Sequence, residues 1–377
     1  MRVVVSGGGT GGHIFPALAV AEALRRRQPD VERLYIGAAS GMEAEIVPQH
    51  GLPFQGVTAK KLRKLLSPGT LGVLLSLVKG YWEARTYLRA FRTDVVIGTG
   101  GYATAATVLA GQHLGLPTAI VAPDAVPGRT NRFLARGARL ICISFPEAAA
   151  FYPEGKTVVT GLPLRAGIVA PPNVTAQAAR CRFPGLAPDR FTVLVVGGSQ
   201  GARAINNVIL EATPALLEAG AQVLHQTGAR NFEAVRAQAQ ARHLWDRAGY
   251  CPLAFLDDTQ MPLAWRAADV VVCRGGMSTL SEVLANGVPA VVVPLPTAYA
   301  DHQTANAREL VKAGAALLRP ESGLTAGTLV QELLALRDDP ARRQQMAAAS
   351  RALGRPDAAD DVAKRLLELG RPSSKET

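Results

Sequence analysis

With 377 residues, 48% of them hydrophobic and 19% charged, the chain is neither disordered nor collagen-like and is long enough for two domains. Its 41 lysines and arginines against 30 aspartates and glutamates give a formal net charge of +11, which favours nucleic acid, an anionic membrane or a phosphorylated substrate as partner. Only 5% of the residues are aromatic, which disfavours a stacking surface for single-stranded nucleic acid, and no nucleic-acid partner is expected.

Short β-branched runs alternate with amphipathic helical stretches along the chain, a pattern typical of parallel α/β sheets. The first half contains predicted strands at residues 2–6, 33–37, 94–98, 118–122 and 139–144. A second series is predicted at residues 191–196, 222–226, 269–273, 290–294 and 315–318. Each series opens with a strand that runs into a glycine-rich turn and then a helix. We therefore predict two similar doubly wound domains.

The predicted boundary between these domains follows residue 161 and precedes a proline-containing stretch at 170–173. The first domain is then 1–161 and the second 162–355. The segment 356–377, which contains a predicted helix, is expected to pack back on the first domain. The N-terminal residues lack the pattern of a signal peptide, and glycines and Pro117 interrupt the uncharged stretch 95–123, so neither is predicted to enter a membrane.

The first glycine-rich loop, residues 7–13, reads Gly-Gly-Gly-Thr-Gly-Gly-His and lies between a predicted strand and a helix. Glycines allow backbone N–H groups to approach a phosphate or a sugar closely. The second predicted strand is followed by no acidic residue that would hold the ribose of a dinucleotide, so a nicotinamide cofactor is not expected. His13 would lie at the carboxyl end of a parallel sheet, where it is a candidate general base.

Two further loops follow predicted strands, at residues 98–102 and 197–202. In the third loop Ser199 and Gln200 precede a helix N-terminus, an arrangement suited to a diphosphate. The loop lacks the Gly-Lys-Ser/Thr of a Walker A motif, which disfavours a kinase or ATPase. Further on, Glu282 follows a strand and two glycines, and beside a nucleotide its carboxylate would accept both ribose hydroxyls.

Five motifs together resemble the MurG family of glycosyltransferases: Gly-Gly-Thr-Gly-Gly-His, Gly-Gly-Tyr, Gly-Gly-Ser-Gln-Gly-Ala, Cys-Arg-x-Gly…Ser-Glu and Asp-His-Gln-x-x-Asn-Ala. The likeness runs in order from Met1 to about residue 320. The family transfers N-acetylglucosamine from UDP-GlcNAc to lipid I and so makes lipid II for peptidoglycan. The resemblance implies a GT-B fold, in which two Rossmann-like domains face each other across a cleft, with the donor mainly on the C-terminal side. It also implies catalysis without a metal or other cofactor.

The resemblance assigns roles residue by residue. His13 matches the proposed base, and Arg165, Glu282 and Gln303 match positions at the pyrophosphate or nucleotide, the ribose and the donor sugar. All positions implied to bind the donor are Thr10, Gly11, Gly12, Asp124, Arg165, Ser199, Gln200, Leu256, Met277, Ser278, Thr279, Leu280, Ser281, Glu282 and Gln303. Those implied to bind the acceptor are Gly100, Gly101, Tyr102 and Asn131.

One stretch departs from the family pattern. Residues 121–124 are Val-Ala-Pro-Asp, where the family usually has His-Glu-Gln-Asn. This departure leaves open a related GT-B transferase that acts on another lipid or metabolite. A UDP-GlcNAc 2-epimerase, which has a similar fold, and a non-catalytic basic scaffold at the membrane also stay open. Product analysis distinguishes the epimerase from a transferase, and UDP binding distinguishes the scaffold from both.

A basic and apolar segment of the first domain is a candidate membrane patch. Its residues are Lys60, Lys61, Arg63, Lys64, Leu71, Leu74, Leu75, Val78 and Trp82. Apolar side chains at helical spacing beside a basic cluster and a tryptophan are typical of an interfacial segment. We therefore expect a peripheral protein on the cytoplasmic face of the cell membrane, attached to an anionic membrane surface.

Overall fold

The computed structural model describes residues 1–59, 70–198 and 201–371, and the side chains of residues 70–74 are not described. The chain divides into two compact units, one comprising Met1–Arg165 and the chain from Pro356 onward, the other Ala166–Arg355. This division lies four residues after the boundary expected at 161/162. Arg165, the last residue before this division, contacts the first unit, and its guanidinium lies over the ring of Phe15, 4.9 Å from the ring centroid.

The first unit is built on seven parallel strands in the order β3-β2-β1-β4-β5-β6-β7. The strands, numbered along the chain, are β1 (Arg2–Ser6), β2 (Glu32–Ala38), β3 (Phe54–Val57), β4 (Val95–Gly98), β5 (Thr118–Ala122), β6 (Leu140–Ile143) and β7 (Thr157–Val159). The helices between them are α1 (Gly11–Arg27), α2 (Glu43–Gln49), α3 (Thr70–Ala90), α4 (Tyr102–His113) and α5 (Arg129–Leu134).

The second unit has six parallel strands in the order β10-β9-β8-β11-β12-β13. They are β8 (Thr192–Val196), β9 (Gln222–Gln226), β10 (Tyr250–Leu253), β11 (Val270–Cys273), β12 (Ala290–Val292) and β13 (Ala316–Leu318). The helices are α6 (Ala176–Arg180), α7 (Arg203–Glu218), α8 (Phe232–Ala241), α9 (Gln260–Ala267), α10 (Met277–Asn286), α11 (His302–Lys312), α12 (Ala326–Asp338) and α13 (Pro340–Leu353). Both sheets start from the strand order of a Rossmann fold, in which the third, second, first and fourth strands are neighbours.

The central strands are buried because helices cover both faces of each sheet. In β1 the side chains of Val3, Val4 and Val5 are fully buried, which is typical of a strand inside a doubly wound sheet. The ten strands predicted from the sequence are all present, with ends within two residues of those expected. The prediction missed β3, β7 and β10, and each of these lies at an edge of its sheet.

The last described helix, α14 (Ala358–Leu369), belongs to the first unit and packs on α1. Val362 and Leu366 are buried in this contact region, and Arg26 of α1 forms an ion pair with Asp360 at 3.0 Å. Within the part of the chain that the structure describes, no helix has the length and apolar character needed to cross a membrane. The packing of α14 supports α1, the helix that carries His13.

Candidate functional site

The site in the first unit lies where the strand order of the sheet reverses. Strands β1 and β4 are neighbours there, and β1 leads into the loop 7–10 and β4 into the loop 99–101. Ligands of doubly wound sheets bind outside the carboxyl ends of the strands at this point. The two glycine-rich loops that the sequence indicated are therefore brought together.

His13, in the first turn of α1, is held by the loop after β4. Its Nδ1 lies 3.1 Å from the carbonyl oxygen of Thr99. Because a carbonyl oxygen only accepts hydrogen bonds, Nδ1 carries the proton in this arrangement, and Nε2 of the neutral ring is the basic nitrogen. The Thr99 hydroxyl in turn donates to the carbonyl oxygen of His13 at 2.6 Å. Two hydrogen bonds to one residue thus fix both the position and the tautomer of the imidazole.

A glycine at position 100 is required by this geometry. Gly100 has a φ of +115°, and a Cβ atom there would overlap the imidazole ring of His13. The glycine therefore lets the backbone after β4 pass directly against the ring. The adjacent Tyr102, at the first position of α4, is half-buried at the same end of the sheet.

Burial favours the neutral form of His13, and the neighbouring carboxylates oppose this effect. Burial lowers the pKa of His13, and the negative charge of Asp124 opposes that effect. An imidazole with a lowered pKa is neutral near pH 7 and available to accept a proton. Asp124, which the resemblance assigned to the donor, follows β5, is half-buried, and lies close enough for its charge to raise the pKa of His13.

The remaining positions predicted in the first unit differ in exposure. Thr10 is exposed at the N-cap of α1 with an extended backbone, and its side chain caps no backbone N–H group. Gly11 and Gly12 form the start of that helix, where N–H groups have no partner within the helix. Asn131 is half-buried in the short helix α5. The first turn of α1 is thus the natural anion-binding element of this unit.

In the second unit, one helix carries most of the predicted donor positions. Ser278, Thr279 and Glu282 lie half-buried along α10. The other three positions predicted there have buried side chains: Met277, Leu280 and Ser281. The indole N–H of Trp265, on α9, donates to Oε2 of Glu282 at 3.3 Å. Trp265 was missed from the sequence because it contacts Glu282 only through the packing of two helices.

Gln303 connects two loops at the carboxyl end of the second sheet. Its Oε1 accepts hydrogen bonds from the N–H groups of Gly275, at 3.2 Å, and Leu295, at 2.9 Å. The fully buried Asn306 donates from Nδ2 to the carbonyl oxygen of Gly275 at 3.1 Å. The side-chain oxygen of Gln303 is thereby engaged by two backbone N–H groups of the protein. The side-chain NH₂ group is the part of Gln303 suited to donate to a ligand.

The remaining donor positions predicted in the second unit are Leu256, Ser199 and Gln200. The side chain of Leu256 is buried, whereas the neighbouring Phe255 is half exposed, so Leu256 can meet a ligand only through its main chain. Ser199 and Gln200 lie outside the described residues.

A buried polar network links α7, β9 and β10. His225 is fully buried, with Nδ1 3.0 Å from the hydroxyl of Tyr250 and Nε2 3.1 Å from Oδ1 of Asn206. Asn206 also donates to the carbonyl oxygen of Thr227 at 2.9 Å. Burial lowers the pKa of His225 to about 3, so the ring is neutral in the folded protein. The network ties the first turn of α7 to the sheet.

This network predicts an acid-sensitive stability. The unfolded chain protonates His225 near its usual pKa of 6.5, whereas the folded chain does so only near 3, so the free energy of unfolding falls as the pH drops below 6.5. When the pH falls from about 7.5 to about 5, protonation of His225 in the unfolded chain should lower the free energy of unfolding by roughly 2 kcal/mol. Urea unfolding followed by the fluorescence of Trp245 and Trp265, both in the second unit, measures it.

The control compares two histidines of the second unit. His225→Gln should weaken the dependence of the unfolding free energy on pH, and the exposed His243→Asn should not. Equal pH dependence in the wild type and His225→Gln would contradict the assignment of this acid sensitivity to His225.

Both units match domains of one known protein family. The glycosyltransferase family 28 N-terminal domain matches residues 3–143, and the family 28 C-terminal domain matches residues 192–362. An Exiguobacterium protein named UDP-N-acetylglucosamine--N-acetylmuramyl-(pentapeptide) pyrophosphoryl-undecaprenol N-acetylglucosamine transferase is 40% identical over 369 residues, 98% of this chain and 99% of the relative. A Nitratidesulfovibrio vulgaris protein of the same name is 42% identical over 372 residues, 98% of this chain and 97% of the relative.

A solved structure supports the same relationship. MurG of Acinetobacter baumannii is similar with a TM-score of 0.76 and 31% identity, covering 97% of this chain and 99% of that chain. Together with the two doubly wound parallel units, these matches confirm the predicted GT-B fold class. They favour neither a 2-epimerase nor a transferase for a different acceptor. Near-full-length identity of about 40% therefore places the chain in the MurG family of UDP-N-acetylglucosamine-dependent N-acetylglucosaminyltransferases.

Proposed function

We propose that the chain transfers N-acetylglucosamine from UDP-GlcNAc to the C4 hydroxyl of the N-acetylmuramyl residue of lipid I, forming lipid II with inversion at the anomeric carbon. The observation that carries the mechanism is His13 at the switch point of the first sheet, with Nδ1 fixed on the Thr99 carbonyl oxygen. That contact leaves Nε2 as the nitrogen that takes a proton. Membership of the transferase family supports the substrates.

The reaction is a displacement at the donor sugar. The acceptor oxygen attacks the anomeric carbon as Nε2 of His13 takes its proton, and the bond between that carbon and the diphosphate oxygen breaks. UDP leaves with the electron pair of that bond. Arg165 and the N–H groups at the start of α1 would stabilise the added negative charge. The half-buried guanidinium of Arg165, stacked on Phe15, is suited to an anion.

The donor would be held by the second unit. The carboxylate of Glu282 would accept hydrogen bonds from the two ribose hydroxyls. The hydrogen bond from the indole of Trp265 orients this carboxylate. The NH₂ group of Gln303 donates to hydroxyls of the donor sugar, since its oxygen is held by two backbone N–H groups. Ser278 and Thr279 would contact the diphosphate or the ribose, a role supported by their position in the first turn of α10.

The acceptor would lie against the loop after β4. Gly101 is half-buried in this loop, next to the buried Gly100, and the half-buried Tyr102 and Asn131 offer polar side chains. The departure at 121–124 replaces three polar side chains with Val121, Ala122 and Pro123, of which Val121 and Ala122 are buried at the end of β5. Asp124 is the one acidic residue of this stretch, and we propose that it takes part in holding a substrate beside His13.

One incubation tests the proposed function. Purified protein with UDP-GlcNAc and a lipid I analogue should release UDP and form a disaccharide-linked lipid, measured by mass spectrometry. With UDP-GlcNAc alone, neither UDP release nor an epimerised sugar nucleotide is expected. Epimerised UDP-sugar without a new glycoside would contradict the transferase proposal.

A membrane-binding surface is proposed on α3. Leu75, Val78 and Trp82 are between 56% and 63% exposed and, at spacings of three and four residues, lie on one face of the helix. Ala84 and Leu88, on the other face, are buried in the first unit. Arg85 also lies over the ring of Trp82, 5.7 Å from its centroid. Lys60, Lys61, Arg63, Lys64 and the side chains of Leu71 and Leu74 fall outside the described residues.

This surface predicts reversible binding to anionic vesicles. Each cation close to such a surface contributes about 1 kcal/mol, and added salt screens that attraction. Serine at positions 75, 78 and 82, or glutamine at 60, 61, 63 and 64, should weaken binding in a vesicle co-sedimentation assay. Activity on a short-chain, water-soluble acceptor should survive both sets of changes.

The matched control is Val311→Ser, which removes an exposed apolar side chain from the second unit. It should leave vesicle binding unchanged. Wild-type protein that ignores anionic vesicles at low salt would refute the membrane surface.

A further inference from the structure

The first unit contains a fully buried carboxylate that the proposed mechanism does not use. Glu43, the first residue of α2, is 0% exposed. Its Oε1 accepts a hydrogen bond from the N–H of Ala38, at 3.0 Å, and its Oε2 accepts one from the N–H of Gly9, at 3.2 Å. Among the described residues, no cation forms an ion pair with it. Burial of an unpaired carboxylate is costly and calls for a specific role.

The loop after β1 is shaped around this carboxylate. A Cβ atom at Gly8 would overlap Oε1 of Glu43, and one at Gly41 would overlap Oε2. The carboxyl group of Glu43 therefore occupies the space next to Gly8 and Gly41 that a side chain at either position would need. A carboxylate has acceptor sites on both oxygens, which matches two backbone donors on opposite sides.

Three contacts hold successive residues of the loop. The buried hydroxyl of Tyr35 donates to the carbonyl oxygen of Gly7 at 2.7 Å, and the N–H of Gly8 donates to the carbonyl oxygen of Gly100 at 3.2 Å. Glu43 then binds the N–H of Gly9. The carbonyl oxygen of the next residue, Thr10, accepts a hydrogen bond from the N–H of His13 at 3.0 Å, at the start of α1.

We propose that Glu43 is a positioning residue that holds the loop after β1 in the shape that presents His13 to the acceptor hydroxyl. This inference rests on the proposed function, in which His13 is the base. Glu43 acts through the backbone of Gly9 and touches no substrate. Its effect should therefore appear in turnover and in the behaviour of His13 rather than in donor affinity.

The charge of Glu43 provides a readout that separates this role from a general structural one. Burial lowers the pKa of His13, and two carboxylates, Asp124 after β5 and Glu43 on α2, oppose this larger effect by raising it. Removal of the negative charge at position 43 should therefore lower the pKa of His13. Because a general base acts when deprotonated, the acid limb of the pH dependence of kcat should move to lower pH as well.

The test compares Glu43→Gln with Glu45→Gln, a substitution at an exposed glutamate of the same helix. The glutamine amide has one acceptor atom for the two backbone donors, so the loop should lose a hydrogen bond. We expect kcat to fall about tenfold with little change in the KM for UDP-GlcNAc. The imidazole pKa of His13, measured by NMR and assigned with His13→Ala, should decrease in Glu43→Gln and stay constant in Glu45→Gln.

Each outcome decides the proposal. Unchanged kcat in Glu43→Gln, or a lower kcat with the pKa of His13 and the acid limb both unmoved, overturns it. Should Glu43→Gln fail to fold, Glu43→Asp keeps the charge but withdraws it from Gly9, and wild-type kcat in that variant overturns the proposal equally. A wild-type protein that transfers no sugar, while the pKa of His13 still responds to Glu43→Gln, contradicts the proposed function and supports the positioning of His13.

Discussion

Replacement of His13 with alanine should lower kcat by about a hundredfold or more and leave the affinity for UDP nearly unchanged. The physical reason is that Nε2 of His13 is proposed to accept the proton of the acceptor hydroxyl, whereas other residues, such as Glu282 and Arg165, are proposed to hold the nucleotide. Without the base, the acceptor oxygen must attack while it still carries its proton. Steady-state kinetics with a lipid I analogue and calorimetric titration with UDP measure the two quantities.

The control for this change is His50→Ala. His50 is exposed at the end of α2, and its Nδ1 contacts the carbonyl oxygen of Ile46 at 2.9 Å, so its loss should leave kcat unaffected. A His13→Ala protein that loses UDP binding but keeps its turnover would show that His13 binds the donor and is not the base.

Replacement of Glu282 with alanine should weaken UDP binding by about ten- to a hundredfold. This range corresponds to roughly 1.5–3 kcal/mol for hydrogen bonds from ribose hydroxyls to a charged acceptor. The hydrogen bond from Trp265 holds the carboxylate before the nucleotide arrives, so Trp265→Phe should weaken binding by a smaller factor. Calorimetric titration of each variant with UDP gives the dissociation constants.

Glu233→Ala is the matched control, because Glu233 is an exposed glutamate in the first turn of α8 in the same unit. It should bind UDP as tightly as the wild type. Unchanged UDP affinity in Glu282→Ala would refute the assignment of Glu282 to the ribose.

The interior of both sheets was predictable from the sequence, and the edges were not. Strands such as β1 and β8 contain apolar runs rich in valine, which is typical of strands buried on both faces of a parallel sheet. The edge strand β10 contains Pro252, which a central strand would exclude because proline cannot donate to the ladder. The edge strand β3 is partly exposed and contains a glutamine and a glycine, and β7, although β-branched, has only three residues, all partly exposed.

The loops of the candidate site were predictable because their signals are local. Glycines directly after a strand mark the loops of residues 7–12 and 99–101, and the neighbouring His13 marks the candidate base. Glu43 and Trp265 were not predictable in this way. Each meets its partner through tertiary packing, at separations of 34 residues for Glu43 and Gly9 and 17 for Trp265 and Glu282.

The departure at 121–124 has a physical explanation in the fold. Val121 and Ala122 continue the buried strand β5, so the chain has extended the apolar core at positions where the family usually carries histidine and glutamate. The half-buried Asp124 follows directly, close enough for its charge to raise the pKa of His13. Family membership and the predicted base are therefore compatible with an altered acceptor-side loop.

The most direct test of inverting transfer is the anomeric configuration of the sugar that the protein adds. NMR of the product formed from UDP-GlcNAc and a short-chain lipid I analogue should show N-acetylglucosamine β-linked to C4 of the N-acetylmuramyl residue. Since the donor sugar is α-linked to UDP, a β-linked product requires the single displacement that a base at His13 serves. An α-linked product, or a sugar nucleotide epimerised without transfer, would contradict inverting transfer by this protein.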